Sequence, residues 1–439
     1  MRFLLQPGGS AIGTLRVPGD KSISHRSIML GAIAEGVTEI SGFLEGEDAL
    51  STLNAFRAMG VPIEGPDNGN VRVHGVGLHG LRAPHGPLDM GNSGTSMRLL
   101  SGLIAGQKFS ATLIGDESLS KRPMERVAKP LRLMGAMVET QQGGRPPITI
   151  SGQGKLKGIH YDLPMASAQV KSCLLLAGLY AEGETSVTEP APTRDHTERM
   201  LGGFGYPIER RGNATVAIKS GSKLIATKID VPADISSATF FIVAAAIAPG
   251  SDITLTHVGI NPTRIGIITI LKLMGADLTI ANTREVGGEP VADIRVRYAP
   301  LHGIEIPEEQ VPLAIDEFPA LFIAAACAEG TTILRDAEEL RVKESDRIQV
   351  MADGLKTLGV SAEPTPDGIV IVGGDNKVFG GGTLHSHHDH RIAMSFAIAS
   401  LRASAPITIE DCDNVATSFP NFVELAQRAG IRIEAQGAR

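Results

Sequence analysis

Cysteine is scarce in this chain: Cys173, Cys327 and Cys412 are the only three in 439 residues, far apart and without a CxxC pair. That spacing excludes a cysteine zinc site and a disulfide framework, and predicts a reducing compartment. Long apolar runs are missing as well. The longest, near Phe240–Ala248 and Leu321–Ala328, fall well short of the roughly 20 residues that span a bilayer. The opening MRFLLQPGGS has one arginine and a brief apolar stretch, too little for a signal peptide. Positive charge is not in excess either. Against 41 Lys and Arg stand 48 Asp and Glu, a net charge of −7, which argues against nucleic acid or an acidic membrane surface as the main partner. No low-complexity tract or long linker interrupts the chain. A soluble cytoplasmic protein is the expectation, and any anion it binds must be held by local clusters of cations.

What is present is repetition. About every seventy residues a helix-like phrase ends in an apolar residue and glycine: FRAMG to Gly60, LRLMG to Gly135, LGGFG to Gly205, LKLMG to Gly275, LKTLG to Gly359 and AQRAG to Gly430. Roughly forty residues before each lies a more apolar phrase, starting near Lys21, Asn92, Ser167, Ser236, Phe318 and Arg391. Six copies of one unit account for the chain. Length alone suggests about three domains, but that prior is soft, and six small units can form two larger bodies.

Ser27–Ala34 and Phe240–Ala248 have no polar face, as expected of helices buried on all sides. Their Gly and Ala content admits close neighbours. β-like runs follow at Thr38–Ser41, Asp252–Thr256 and Pro406–Glu410, so helices and strands alternate and the class is α/β. Each second helix ends at the repeated Gly, suited to the left-handed position past a helix C-terminus. Val17-Pro-Gly-Asp20 and Val231-Pro-Ala-Asp234 are the best points for the chain to pass between bodies, unless their likeness is repeat inheritance.

The copies differ most where the apolar segments begin, and the chemistry is sought there. Asp20-Lys-Ser-Ile-Ser-His-Arg26 sets a lysine, hydroxyls and an arginine at a helix start, where free N–H groups and partial positive charge suit phosphate or carboxylate. Gly91-Asn-Ser-Gly-Thr-Ser96 opens the second apolar helix with residues small enough for a ligand to approach the backbone. Ser120-Lys-Arg-Pro-Met124 adds a cation, and Ala166-Ser-Ala-Gln-Val-Lys171 opens the third helix with hydroxyl, amide and ammonium donors. Any one of these is also read as a capped helix with exposed basic residues. Their recurrence at one place in successive repeats favours a binding role.

The second half adds carboxylates. Asp316-Glu317 stands where Lys21 stands in the first unit. Arg341-Val-Lys-Glu-Ser-Asp-Arg347 packs five charges into seven residues, either a solvated helix face or a site. Read as helix, it puts Lys343 and Arg347 on one face with Glu344 beside them. His387-His-Asp-His-Arg391 suggests a metal site. The adjacent Arg391 and the lack of a second cluster to complete a coordination shell weigh against it.

With these motifs the chain resembles the 5-enolpyruvylshikimate-3-phosphate synthase (3-phosphoshikimate 1-carboxyvinyltransferase) family over essentially its full length. The matching stretches are Gly19–Arg26, Gly91–Arg98, Lys121–Met124, Leu340–Arg347 and Asp389–Met394. The resemblance implies two similar globular domains, each of three repeated βαβαββ-type units with buried parallel helices, the enolpyruvyl transferase fold. One domain would hold 20–234, the other 1–19 plus 235–439, with substrates bound in the cleft between them. The division into three and three comes from the resemblance alone. The implied reaction moves the enolpyruvyl group of phosphoenolpyruvate to the 5-hydroxyl of shikimate 3-phosphate and releases phosphate, a step toward chorismate and aromatic amino acids.

Two doubly charged phosphates about 6 Å apart repel by on the order of 10 kcal/mol at an effective dielectric near 20, and charge-assisted hydrogen bonds return about 1.5–3 kcal/mol each. Several cations are therefore needed. Carried onto this sequence, the family's roles give Lys21, Ser22, Arg26, Ser167, Gln169, Arg194, Asp316 and Lys343 to shikimate 3-phosphate. Lys21, Gly94, Arg122, Gln169, Arg347 and Arg391 go to phosphoenolpyruvate. Asp316 would take the proton of the attacking hydroxyl, Glu344 would protonate the methylene carbon, and Lys21 would assist either step. Neither cofactor nor metal is implied. The expected partners are the two small substrates, with no nucleic acid and no membrane, and the chain is expected to be a monomer.

Two departures from the family pattern stand out. Ser167-Ala168-Gln169 replaces Ser-Ser-Gln, and Thr417 stands where many members carry a lysine on phosphoenolpyruvate. Both resemble the glyphosate-tolerant subgroup, yet those enzymes carry Ala where this chain has Gly94, and Gly94 is expected to leave room for the inhibitor. A sister family acting on UDP-N-acetylglucosamine is the nearest rival. It opens with Lys-Asn and has a reactive loop cysteine, whereas here Ser22 follows Lys21 and Cys173 and Cys327 sit in apolar runs. A non-catalytic anion-binding scaffold is the other alternative, and two separate carboxylates beside six cations weigh against it.

Overall fold

The structure is a computed structural model that describes residues 1–374 and 379–437. Among the described residues twelve α-helices follow the repeat: Lys21–Ala32 (α1), Glu47–Ala58 (α2), Gly94–Ala105 (α3), Glu125–Leu133 (α4), Ala168–Gly178 (α5), His196–Gly203 (α6), Ile235–Ile247 (α7), Gly266–Leu273 (α8), Phe318–Ala326 (α9), Arg347–Thr357 (α10), His390–Ala399 (α11) and Phe422–Ala429 (α12). The odd-numbered helices are the apolar phrases. Every residue of α7 is buried, because it has no polar stripe to turn toward water; Ile23–Ala32 of α1 are buried too, with His25 and Arg26 hydrogen-bonded in the interior. Close approach depends on missing side chains. A Cβ on Gly102 of α3 would lie 2.0 Å from the Cys173 carbonyl oxygen of α5.

The even-numbered helices are amphipathic. In α12, Phe422, Leu425, Ala426 and Ala429 form the buried stripe. Each even helix is followed by the repeated glycine in the left-handed region, Gly60, Gly135, Gly205, Gly275, Gly359 and Gly430 at φ of 88, 99, 80, 97, 87 and 112°. Only glycine takes that conformation without steric cost.

Among the described residues six small sheets accompany the helices. The repeat is plainest at Leu88–Asp89, α3, Ser110–Ile114, α4, Met137–Gln141 and Arg145–Ser151. The first two strands pair in parallel (Leu88↔Leu113), and the second pairs antiparallel with the last (Leu113↔Ile148). Elsewhere the unit is completed from a distance. Lys228–Asp230 pairs in parallel with Glu35–Ser41, and Ile12–Leu15 in parallel with Asp252–Gly259. Arg2–Leu5 inserts antiparallel between Ile407–Glu410 and Ile433–Gln436.

The chain forms two compact units, one of residues 1–18, 233–284 and 290–439, the other of 19–232 and 285–289. Each has its own apolar core, built around α7, α9 and α11 in the first and α1, α3 and α5 in the second. The two Val-Pro-x-Asp stretches do the same local job, since Asp20 accepts from Ile23 N–H and caps α1, while Asp234 accepts from Ser236 N–H and caps α7. Such caps contribute about 0.5–2 kcal/mol each. Among the described residues no helix is long and apolar enough to cross a membrane.

Candidate active site

In the unit of residues 19–232, the starts of α1, α3 and α5 carry the polar groups. Ser93 and Ser167 cap α3 and α5 by accepting from Ser96 and Val170 N–H. Behind α1 and α3, the His25 ring nitrogen Nδ1 lies 2.7 Å from Thr52 Oγ1, which lies 2.6 Å from Ser96 Oγ. Burial, with Lys21 adding to it, pushes the His25 pKa down to about 3, so the ring is neutral. It ties α1, α2 and α3 together through hydrogen bonds.

Lys21, the first residue of α1, is exposed, and its ammonium lies 2.5 Å from Asp48 in the first turn of α2. Arg26 is buried: Nε donates to Thr197 Oγ1 at 2.8 Å, Nη1 to the Ser22 carbonyl at 3.0 Å and Nη2 to Ser172 Oγ at 3.3 Å. Arg194 sits near enough for its charge to act on Arg26. At the start of α3, a Cβ on Gly94 would lie 2.9 Å from Arg98 Nη1 and 3.1 Å from Arg122 Nη1. Arg98 Nη1 donates to Gln169 Oε1 at 2.5 Å, and Gln169 Nε2 to Thr95 Oγ1 at 3.0 Å. Burial, then Arg122 and Arg126, lower the Arg98 pKa. Lys21, Ser22 and Arg26 thus share one helix start, and Gly94, Arg122 and Gln169 gather around another. Arg98, unassigned at the level of sequence, is central to the second group. Its place at the end of the GNSGTSMR motif was the available signal.

In the other unit, Arg347 is 1% exposed. Its Nε donates to Asp389 Oδ2 at 2.8 Å and its Nη2 to Glu344 Oε2 at 2.6 Å. Nη1 reaches Asp316 only at 3.7 Å and makes no hydrogen bond. Arg391 Nη1 donates to the Asp316 carbonyl at 3.4 Å. Burial works to lower the Arg391 pKa, and Asp316, Glu317, Asp234 and Glu344 outweigh it and raise it. For Glu344, burial favours the neutral acid, but Arg347 and a backbone N–H hold the carboxyl below the usual carboxylate range. Asp316, Glu344, Arg347 and Arg391 are brought together. Lys343 stands apart, its ammonium 2.8 Å from Glu339.

One expectation is corrected here. Lys343 and Arg347 do not share a helix face, because α10 begins only at Arg347, capped by Asp346 accepting from Gln349 N–H at 3.1 Å. Lys343 follows a 3-10 turn (Glu338–Val342) in extended backbone. The strong capping residue Asp346 starts the helix later than the charge spacing suggests. The histidine run is also accounted for. Asp389 serves Arg347 and Ser345 Oγ, the latter at 2.8 Å, and burial followed by Arg391 brings the His390 pKa to about 3. His388 Nδ1 lies 2.7 Å from Asp411. Among the described residues no group of three or more His, Cys, Asp or Glu is placed to hold a metal. All three cysteines are buried and free, and burial pushes the Cys327 and Cys412 thiols up to about 12.

These helix starts thus carry two clusters of cations, one in each unit, the second beside the carboxylates of Asp316 and Glu344. The family model for EPSP synthase (3-phosphoshikimate 1-carboxyvinyltransferase) matches residues 5–425. The 3-phosphoshikimate 1-carboxyvinyltransferase of Methylococcus capsulatus is 69% identical over 432 residues, 98% of each chain. That of Alkalilimnicola ehrlichii is 68% identical over 433 residues, 99% of this chain and 96% of its own. The EPSP synthase structure from Acinetobacter baumannii superimposes with a TM-score of 0.96 at 64% identity, covering 99% of this chain and all of that one. The chain therefore belongs to the EPSP synthase (3-phosphoshikimate 1-carboxyvinyltransferase) family and has its two-domain enolpyruvyl transferase fold.

Proposed function

We infer that the chain transfers the enolpyruvyl group of phosphoenolpyruvate to the 5-hydroxyl of shikimate 3-phosphate, and that both helix-start clusters act on that one pair of substrates. The observation that carries the assignment of roles is Arg347, a buried guanidinium bound to Asp389 and Glu344 with its third edge toward Asp316. It puts a cation between the two carboxylates the chemistry needs.

In this reading Arg26, Lys21, Ser22, Ser167, Gln169, Arg194 and Lys343 hold shikimate 3-phosphate. Lys21, Gly94, Arg122, Gln169, Arg347 and Arg391 receive phosphoenolpyruvate. Asp316 takes the hydroxyl proton as the oxygen attacks C2. Glu344 delivers a proton to C3, giving a tetrahedral ketal, and the reverse proton movement expels phosphate. An ionised Glu344 is a poor acid, but a phosphate dianion arriving at Arg347 takes up that cation's charge and raises the neighbouring carboxyl toward protonation. Lys21 and Lys343 leave their present partners, Asp48 and Glu339, for the ligands' stronger negative charge. The enzyme is read as a cytoplasmic monomer.

Mixing phosphoenolpyruvate with shikimate 3-phosphate is expected to release phosphate stoichiometrically. Release with UDP-N-acetylglucosamine instead would assign the chain to the sister activity, and release with neither would leave an anion-binding scaffold.

A further inference from the structure

Arg26 is a buried cation, 5% exposed, whose three bonded partners are all neutral: Thr197 Oγ1, Ser172 Oγ and the Ser22 carbonyl. Among the described residues it makes no ion pair. A carboxylate is nevertheless close, since Glu198 is the strongest of the charges acting on Arg26 and is itself 4% exposed. Glu198 is committed elsewhere. Its Oε2 lies 3.0 Å from the Lys171 ammonium, which also holds Glu189 at 3.0 Å and is 1% exposed. Glu198 Oε1 has no hydrogen-bond partner.

The residues alternate in a simple way. Lys171 and Ser172 are neighbours on α5, and Thr197 and Glu198 are neighbours on α6. Lys171 pairs with Glu198, and Thr197 Oγ1 donates to Ser172 Oγ at 2.7 Å. The charges are thus engaged with one another, Lys171 with Glu189 and Glu198 and Arg210 at 3.9 Å from Glu198, and the two hydroxyls face the guanidinium. A desolvated arginine held only by neutral acceptors keeps its full charge for an incoming anion, whereas one paired to a buried carboxylate would have to break that pair first.

We propose that Lys171 is a positioning residue for substrate binding: by occupying Glu198 it keeps Arg26 free of a carboxylate partner and open to an anionic group of shikimate 3-phosphate. The proposal rests on the assignment of Arg26 to that substrate. Without the Lys171 ammonium, Glu198 keeps only the distant Arg210, 3.9 Å from Oε2 and already held by Asp195 at 2.9 Å, and it swings to the nearby Arg26 guanidinium, quenching the anion site from within the protein.

The test is the affinity for shikimate 3-phosphate by titration calorimetry, with kcat and both KM values. Lys171→Met is expected to weaken binding by about tenfold or more and to raise the KM for shikimate 3-phosphate, with the KM for phosphoenolpyruvate little changed. Adding Glu198→Gln to Lys171→Met is expected to restore binding to within about threefold, since the quenching carboxylate is gone. A double variant as weak as the single one would overturn the proposal. So would normal binding by a folded Lys171→Met. Should Lys171→Met fail to fold, Glu198→Gln alone decides: affinity within about threefold of the parent supports the idea, and a tenfold loss at unchanged melting temperature refutes it. Normal binding by Arg26→Met would instead remove the assignment of Arg26 itself.

Discussion

Arg347 donates to both oxygens of Asp389, at 2.8 and 3.3 Å, and neither side chain has appreciable exposure to water. Asp389 also accepts from Arg391 N–H at 3.0 Å as the cap of α11. One carboxylate therefore fixes the guanidinium of one proposed phosphate ligand and the backbone of another.

Asp389→Asn is expected to cost about 3–5 kcal/mol, the usual result of breaking a buried pair, read by urea unfolding at neutral pH. Burial acts to raise the Asp389 pKa from its ordinary value of 3.8, and Arg347 outweighs it and lowers it. A depressed folded pKa stabilises the protein fully above the unfolded value, and the contribution is lost as pH falls through the folded one. The gap between parent and variant should therefore hold at pH 5 and close only below about pH 4. A gap that closes near neutrality would contradict the pairing.

Glu344→Gln should leave substrate affinity largely intact and cut turnover by about 10²-fold or more, as expected for loss of a proton-transfer group. Steady-state kinetics alongside equilibrium binding separate the two effects. Near-normal turnover would remove Glu344 from the proton path.

Lys21→Met should raise the KM for phosphoenolpyruvate and lower kcat together. A charge-assisted bond of about 1.5–3 kcal/mol corresponds to a loss on the order of 10- to 100-fold in kcat/KM. Unchanged kinetics would show that the ammonium remains with Asp48 throughout the cycle.

Gly94→Ala places a methyl group 2.9 Å from Arg98 Nη1 and 3.1 Å from Arg122 Nη1. These are the ends of flexible side chains, so the protein should fold normally while both guanidinium groups give way. Glyphosate inhibition should weaken about tenfold or more, with a smaller rise in the KM for phosphoenolpyruvate. An unchanged inhibition constant would mean that the space at Gly94 is not used.

The repeat was legible because its signals are local. Glycines that must take positive φ recur at fixed spacing, helices without a polar face announce their burial, and caps such as Asp20 and Ser93 sit beside the apolar runs they start. The pairing of charges was not legible. Nothing in the sequence says that Lys171 is spent on Glu189 and Glu198 while Arg26, five residues from Lys21, meets only neutral groups. Nor does it show Lys21 beside Asp48, since both contacts depend on which helices pack together. The start of α10 is hidden for a related reason: five charges in seven residues mimic a helix face, and the one that sets the boundary is the cap, Asp346.

The most direct measurement is transfer run in deuterium oxide, with product and recovered phosphoenolpyruvate examined by NMR. Proton delivery to C3 by Glu344, followed by its reversal from a freely rotating methyl group, places deuterium in the vinyl group of the product, and Glu344→Gln should suppress both exchange and turnover. A product free of deuterium at that carbon would contradict the addition–elimination route and the role of Glu344 with it.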